Sequence, residues 1–225
     1  MAKLNRGLIV SCQAVEGESL HGFGIMKYFA YAAQKGGACG IRANTVEDIK
    51  DIKSMVDLPV IGIIKAVYEG SDVYITQTLK EVKQLISSGC EVIALDCTNR
   101  PRPNGEKLED LVKYIRENAP EIELMADTAS FEDAVTASEL GFDYIGSTMR
   151  GYTESTKGIK IPDYDHLRHL VEAFPNINII AEGGIWEKEQ LTKVSRTGVY
   201  TIVVGTAITR PTDITKRFVG ALDLC

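Results

Sequence analysis

Eight short apolar runs, most of them rich in β-branched residues, recur along this 225-residue chain, and charged segments with helical spacing separate them. The runs cover residues 7–12, 39–41, 60–64, 92–95, 122–125, 144–145, 177–181 and 200–204. Helical spacing occupies 45–55, 77–87, 108–118, 131–140, 163–174, 188–195 and 214–222, among others. A run with no polar alternation has no face to offer water, so a strand made from it must be covered on both sides. Strands of this kind alternating with amphipathic helices predict a parallel sheet wrapped in helices. Eight such units at a spacing of roughly 25 to 30 residues predict a (β/α)8 barrel, a fold that usually takes about 250 residues. Glycines at 36, 37, 89, 141 and 198 stand where helices should stop before the next strand. Thr45 with Asp48, and Ser130 with Asp133, have the spacing of capping starts. No low-complexity stretch or linker interrupts the pattern, so residues 1–225 are expected to form one barrel domain.

A formal net charge of -6 leaves the surface with no overall field for nucleic acid or anionic membrane. The apolar stretch near the amino terminus is too short for a signal peptide, and no run approaches the roughly 18 residues of a membrane span. The five cysteines, Cys12, Cys39, Cys90, Cys97 and Cys225, are odd in number and lack CxxC spacing. They read as reduced thiols in a cytoplasmic protein. There is no Walker loop, no GxGxxG and no HExxH. None of the three histidines ends a strand, and His166 with His169 reads as a solvated helical face. Neither a metal site nor a nicotinamide site is expected.

Chemistry in a barrel collects at the carboxyl ends of the strands. Gln13, Arg42, Lys65, Asp96, Asp127, Thr148, Glu182 and the Gly205-Thr206 pair stand there. Of these, Gln13, Lys65, Asp127 and Glu182 belong to alternate strands, whose inward side chains share a layer. An amine at the third strand and a carboxylate at the seventh would face each other across the mouth, as proton transfer requires. Burial and nearby positive charge would lower the Lys65 pKa, whereas the carboxylates would oppose that. Glu182 could instead merely orient Lys65 or Arg42. Asp127 reads as an acceptor for substrate, and Asp96 as a carboxylate satisfied by local amides or by Lys65. Gly183, Gly184, Gly205 and Thr206 follow strands seven and eight, where barrels often bind phosphate through backbone amides, and Arg210 adds a fork donor just beyond.

Taken in order, Gly7-Leu8-Ile9-Val10-Ser11-Cys12-Gln13-Ala14, Gly40-Ile41-Arg42-Ala43-Asn44, Leu58-Pro59-Val60-Ile61-Gly62-Ile63-Ile64-Lys65, Met125-Ala126-Asp127, Ala181-Glu182-Gly183 and the 204–211 segment around Gly205-Thr206 and Arg210 resemble the bacterial N-acetylmannosamine-6-phosphate 2-epimerases. The resemblance spans nearly the whole chain. It implies a barrel with the phosphate site of the ribulose-phosphate-binding type. It also implies cofactor-free interconversion of N-acetylmannosamine 6-phosphate and N-acetylglucosamine 6-phosphate in bacterial sialic acid and amino-sugar catabolism. By the same resemblance Lys65 moves the C2 proton with help from Glu182, Gln13, Arg42 and Asp127 hold the sugar, and Arg210 with the glycine loops holds the phosphate. A homodimer is implied too. Thr206 stands where many relatives have glycine, but it still supplies a backbone amide.

That chemistry suits the residues. In the open-chain sugar, C2 neighbours the C1 aldehyde, so losing its proton gives an enolate that needs a tuned base and a donor to the oxyanion. Inversion requires the proton back on the opposite face, either from a second base or from one base after the intermediate turns. Two other readings share these residues. A Schiff-base aldolase would trap substrate on Lys65 with borohydride, and a phosphosugar-binding barrel without catalysis would tolerate loss of both Lys65 and Glu182.

Overall fold

The computed structural model describes residues 3–222, so Cys225 lies outside the described residues. Eight parallel strands close into a barrel in sequence order: β1 (Leu8–Cys12), β2 (Gly40–Asn44), β3 (Val60–Ile63), β4 (Val92–Asp96), β5 (Glu123–Asp127), β6 (Tyr144–Gly146), β7 (Asn178–Glu182) and β8 (Thr201–Val204). Pairing of Ile9 with Val203 joins the last strand to the first. The helices are α1 (Met26–Lys35), α2 (Val46–Lys53), α3 (Leu79–Ile86), α4 (Leu108–Asn118), α5 (Phe131–Glu139), α6 (Tyr164–Ala173), α7 (Lys188–Ser195), the single turn α8 (Thr206–Thr209) and α9 (Pro211–Val219). Helix α9 starts three residues earlier than its spacing predicted, because Pro211 suits the first helical position. Helix α8 is too short for periodicity to reveal.

Two apolar layers explain why the strands lack alternation. One face packs outward against the helices: Ile41, Ile93, Leu124, Ile145 and Ile202 meet the layer containing Ile49, Leu85, Leu111 and Leu170. The other face fills the barrel with Ile9, Ile61, Ile63, Met125, Tyr144, Ile180 and Val203. Full burial of such a side chain is worth about 1.5–3 kcal/mol, which outweighs weak local propensity in helices as short as eight residues. The capping expectations hold in detail. The Ser130 hydroxyl accepts from Asp133 N–H while Asp133 reaches back to Ser130, and Thr45 accepts from Asp48 N–H. Thr78 and Glu81 form a further capping box at α3.

The ends of the barrel are unlike. Below, Leu4 is fully buried, its N–H donating to the Tyr144 hydroxyl at 3.1 Å and its carbonyl accepting from the Tyr200 hydroxyl at 2.8 Å. Above, at the carboxyl ends of the strands, the apolar filling gives way to charged and polar side chains. His166 departs from expectation: it is buried, and burial first, then Arg150, pushes its pKa down to about 4. Its neighbour His169 is exposed as expected and stacks on Phe131 of α5 at 4.3 Å. Cys12, Cys90 and Cys97 are buried and Cys39 half-buried, all four as free thiols.

Candidate active site

A cavity of about 560 Å3 opens at the mouth of the barrel, within the range of small-molecule sites. Lys65, Arg42, Glu182, Gln13, Gly183, Gly184, Gly205, Thr206 and Arg210 all line it. Asp127 does not. It is fully buried beneath the wall, where its two oxygens accept from Arg42 Nη1 at 2.9 Å and Nη2 at 2.6 Å, and one also accepts from the Thr148 hydroxyl at 2.5 Å. Where the sequence placed Asp127 beside the substrate, the structure sets it behind Arg42, whose guanidinium it fixes through both oxygens.

Arg42 is also placed differently. It is the third of five residues in β2, paired in register with Ser11 and Ile61, and so points into the barrel below the rim rather than standing at the strand end. The 39–41 run looked like a whole strand only because Arg42 interrupts its apolar character. Its guanidinium, 1% exposed, also donates from Nη1 to Glu182 Oε2 at 2.8 Å. Burial opposes the charge, but Asp127 and Glu182 more than restore it and hold the pKa above the ordinary arginine value. Asp96, fully buried, binds Arg100 at 2.6 Å and the amide and hydroxyl of Thr98 instead of Lys65.

Lys65 follows β3 and Glu182 ends β7, four strands apart in a ring of eight, so they stand on opposite sides of the mouth. The Lys65 amide is pinned to Asn44 Oδ1 at 2.9 Å, which fixes where its side chain enters the cavity. Its ammonium makes no ion pair among the described residues. Burial, aided by Arg42 and Arg210 and opposed by Glu182 and Glu18, lowers its pKa to about 8. Glu182 moves the other way. Burial first, then Asp127, raises its pKa above the usual carboxylate value, against the pull of Arg42, Lys65 and Thr148. A depressed amine opposite an elevated carboxylate brings both groups toward neutrality, where proton transfer is efficient.

The upper part of the cavity is built from backbone. Gly183 and Gly184 have φ of +110° and +71°, and a Cβ on Gly184 would meet the Ile161 backbone at 2.6 Å. Glycine therefore lets the loops after β6 and β7 touch. Gly205 accepts from Ile208 and Thr209 N–H, which starts the α8 turn, and the first N–H groups of that turn have no acceptor within the helix. Arg210 lies at its end, held by Glu18 of the β1–α1 loop at 2.7 Å. Gln13 donates to the Ser11 hydroxyl at 2.8 Å, and its own Oε1 is buried with no partner among the described residues.

Several wall residues escaped the sequence reading: Ser11, Tyr74, Tyr152, Ile161, Trp186 and Gln190. Ser11 was accessible by the period of two, since it lies two residues before Gln13 on the inward face. Tyr74, Tyr152 and Ile161 come from long loops, whose side-chain directions follow no period. Among the described residues no cluster of histidine, cysteine, aspartate and glutamate has the makings of a metal site.

The barrel and its mouth define a sugar-phosphate-type site in which an amine and a carboxylate oppose each other, with backbone amides and an arginine above. The chain belongs to the family described as "Putative N-acetylmannosamine-6-phosphate epimerase", whose profile matches residues 26–223. It is 56% identical over 220 residues to a protein of Staphylococcus carnosus described as a "Putative N-acetylmannosamine-6-phosphate 2-epimerase", covering 97% of both chains. A Listeria welshimeri protein with the same description is 50% identical, with 98% of this chain and 94% of that one covered. The solved N-acetylmannosamine-6-phosphate 2-epimerase of Clostridium perfringens superposes with a TM-score of 0.91 at 47% identity, over 96% of this chain and 93% of that one. A thiamine phosphate pyrophosphorylase of Pyrococcus furiosus, TM-score 0.63 at 20% identity, shares the fold.

The Arg42 network yields a stability prediction. Replacing Asp127 by Asn takes away one of the two carboxylates on the buried guanidinium and sets an amide NH2 against an Arg42 N–H donor, which should cost about 3–5 kcal/mol. Urea denaturation of Asp127→Asn measures it, and an unchanged midpoint would contradict the network described here.

Proposed function

We infer that this protein interconverts N-acetylmannosamine 6-phosphate and N-acetylglucosamine 6-phosphate, a step of amino-sugar catabolism, by removing and returning the C2 proton. The observation that carries the reading is the opposition of Lys65, its pKa lowered to about 8, and Glu182, its pKa raised, across one cavity. Family membership and near-identical architecture support it. Lys65 as a neutral amine takes the proton from C2 of the open-chain sugar, and the electron pair moves through C1 onto O1. Glu182, on the far side, delivers a proton to the other face and inverts C2. Arg42, fixed by Asp127, holds Glu182 in place and borders the sugar. Gln13 supplies a further polar contact. The amides at Gly183, Gly184, Gly205 and Thr206, with Arg210, receive the phosphate. These groups supply a base, an acid and charge stabilisation by themselves, so the reading needs no cofactor.

Incubation with N-acetylmannosamine 6-phosphate in D2O, followed by NMR, tests this directly. The expected product is N-acetylglucosamine 6-phosphate carrying deuterium at C2. An enzyme that neither epimerises nor exchanges that hydrogen would refute the reading. Lys65→Ala should lower kcat by about 10²–10⁴ while substrate binding stays within roughly tenfold. The pH dependence follows from needing Lys65 as the neutral amine and Glu182 with its proton. In acid, kcat/KM should fall about tenfold per pH unit as Lys65 is protonated. Above the Lys65 pKa of about 8 no more neutral amine forms while Glu182 goes on losing its proton, so kcat/KM should fall again and the profile should be bell-shaped.

Arg210 is assigned to ground-state binding. Arg210→Ala should raise KM by roughly tenfold or more with little effect on the C2 step, and steady-state kinetics with an unchanged KM would remove it from the phosphate site. We also assign a single domain to the whole chain and a homodimer to the assembly. The latter is supported by α9, which buries none of its residues and leaves Phe218 74% and Val219 57% exposed. Light scattering should give twice the chain mass; a monomer at micromolar concentration would dismiss the dimer.

A further inference from the structure

Tyr74 enters the cavity from a loop that doubles back on the end of β3. Lys65 pairs with Ile75 in an antiparallel bridge, Ala66 N–H donates to the Tyr74 carbonyl at 3.2 Å, and Thr76 N–H donates to the Ile64 carbonyl at 2.8 Å. The returning strand is fixed from behind. Arg102, itself buried, donates to the carbonyls of Thr76 at 3.3 Å and Gln77 at 2.9 Å and to that of Asp96, while the Gln77 amide donates to the Ala66 carbonyl at 2.8 Å and to that of Val73. Tyr74 is thus anchored next to the backbone partner of Lys65.

Its ring packs against the apolar filling of the barrel, and its phenol lies in the field of Asp127, Asp96, Arg100 and Arg42. Among the described residues the hydroxyl donates only to Met149 Sδ, at 3.7 Å. A thioether is a weak acceptor, so a half-buried phenol is left nearly unsatisfied. Of the other neutral side chains lining the cavity, Thr148 donates to Asp127 and Gln13 donates one amide hydrogen to Ser11. Burial, then Asp127 and Asp96, raises the Tyr74 pKa to about 12, so the O–H is retained throughout the neutral range.

We propose that Tyr74 is a further catalytic residue, its hydroxyl donating a hydrogen bond to the substrate carbonyl oxygen that becomes the enolate oxyanion as Lys65 removes the C2 proton. This rests on the epimerase reading above. The electron pair of the C2–H bond forms the C1–C2 double bond, the carbonyl π pair moves to O1, and the proton goes to Lys65 Nζ. Tyr74 keeps its own proton throughout. O1 is two bonds from C2, so its donor must flank the base, as the paired backbone of Lys65 and the returning strand allows. A phenol without a strong partner meets the growing charge with nothing to break first.

The test compares wild type and Tyr74→Phe with N-acetylmannosamine 6-phosphate in D2O, recording C2 exchange, kcat, KM, the pH profile and thermal unfolding. The expected result is a folded variant with the pH profile of wild type, KM within about threefold, and kcat lower by about 10²–10³. Wild type that neither epimerises the sugar nor exchanges C2 would bring down the epimerase reading itself. Wild-type exchange with Tyr74→Phe within about twofold in kcat, or with its loss confined to KM, would overturn the role of Tyr74 alone. Should Tyr74→Phe not fold, a fluorinated tyrosine at position 74, whose phenol ionises at lower pH, keeps the shape. It should steepen the alkaline fall of kcat, and a profile identical to wild type would overturn the proposal.

Discussion

A guanidinium buried inside the barrel is the constraint on which the rest of the mouth depends. Taking a charge of that kind out of water costs several kcal/mol, even after relaxation. It persists because Asp127 grips both terminal nitrogens of Arg42 and Glu182 takes one of them. Two carboxylates against one guanidinium leave an excess negative charge, and the Lys65 ammonium is the cation that balances it when protonated. Arg42 thus does three things at once. It orients Glu182, draws Asp127 down out of the cavity, and lowers the pKa of Lys65 by like-charge repulsion. An apolar filling would make a more stable barrel, so the network is explained by the chemistry above it.

The fold supplies what this network cannot. Closure in sequence order makes β3 and β7 diametric, so two groups that would neutralise each other in contact are kept on opposite walls. The apolar interior reaches up to Ile63, Met125 and Val203 and stops, which gives the charged layer a dry floor. Above that layer the walls are loops, tied to one another by local pairing, by the Gly184–Ile161 approach and by Arg102. A site assembled from loop residues is as precise as these ties make it.

Most of the barrel was legible because its physical cause is periodic. Strands with two buried faces, helices with one, and glycines at helix ends each leave a pattern, and the α4 and α7 limits coincide with their spacing. Lys65 and Glu182 were legible because each is a lone charge closing an apolar run. What escaped depended on side-chain direction or on a partner distant in sequence. Nothing near Asp127 announces that Arg42, 85 residues away, takes both its oxygens. Nor does the 66–74 loop announce that Tyr74 folds back beside β3. His166 was misread because its surroundings, Arg150 and the residues near 163, come from a loop whose path no pattern fixes.

The contact between Arg210 and Glu18 has a consequence of its own. The arginine is held by a carboxylate from the β1–α1 loop, which is also tied to the start of α9 through Ser19 and Thr212 at 2.5 Å. The loop that leaves the first strand and the turn that leaves the last are thereby clamped to each other. Closure of the ring between β8 and β1 is thus repeated in a second tier above the strands, and the guanidinium is one of its rivets.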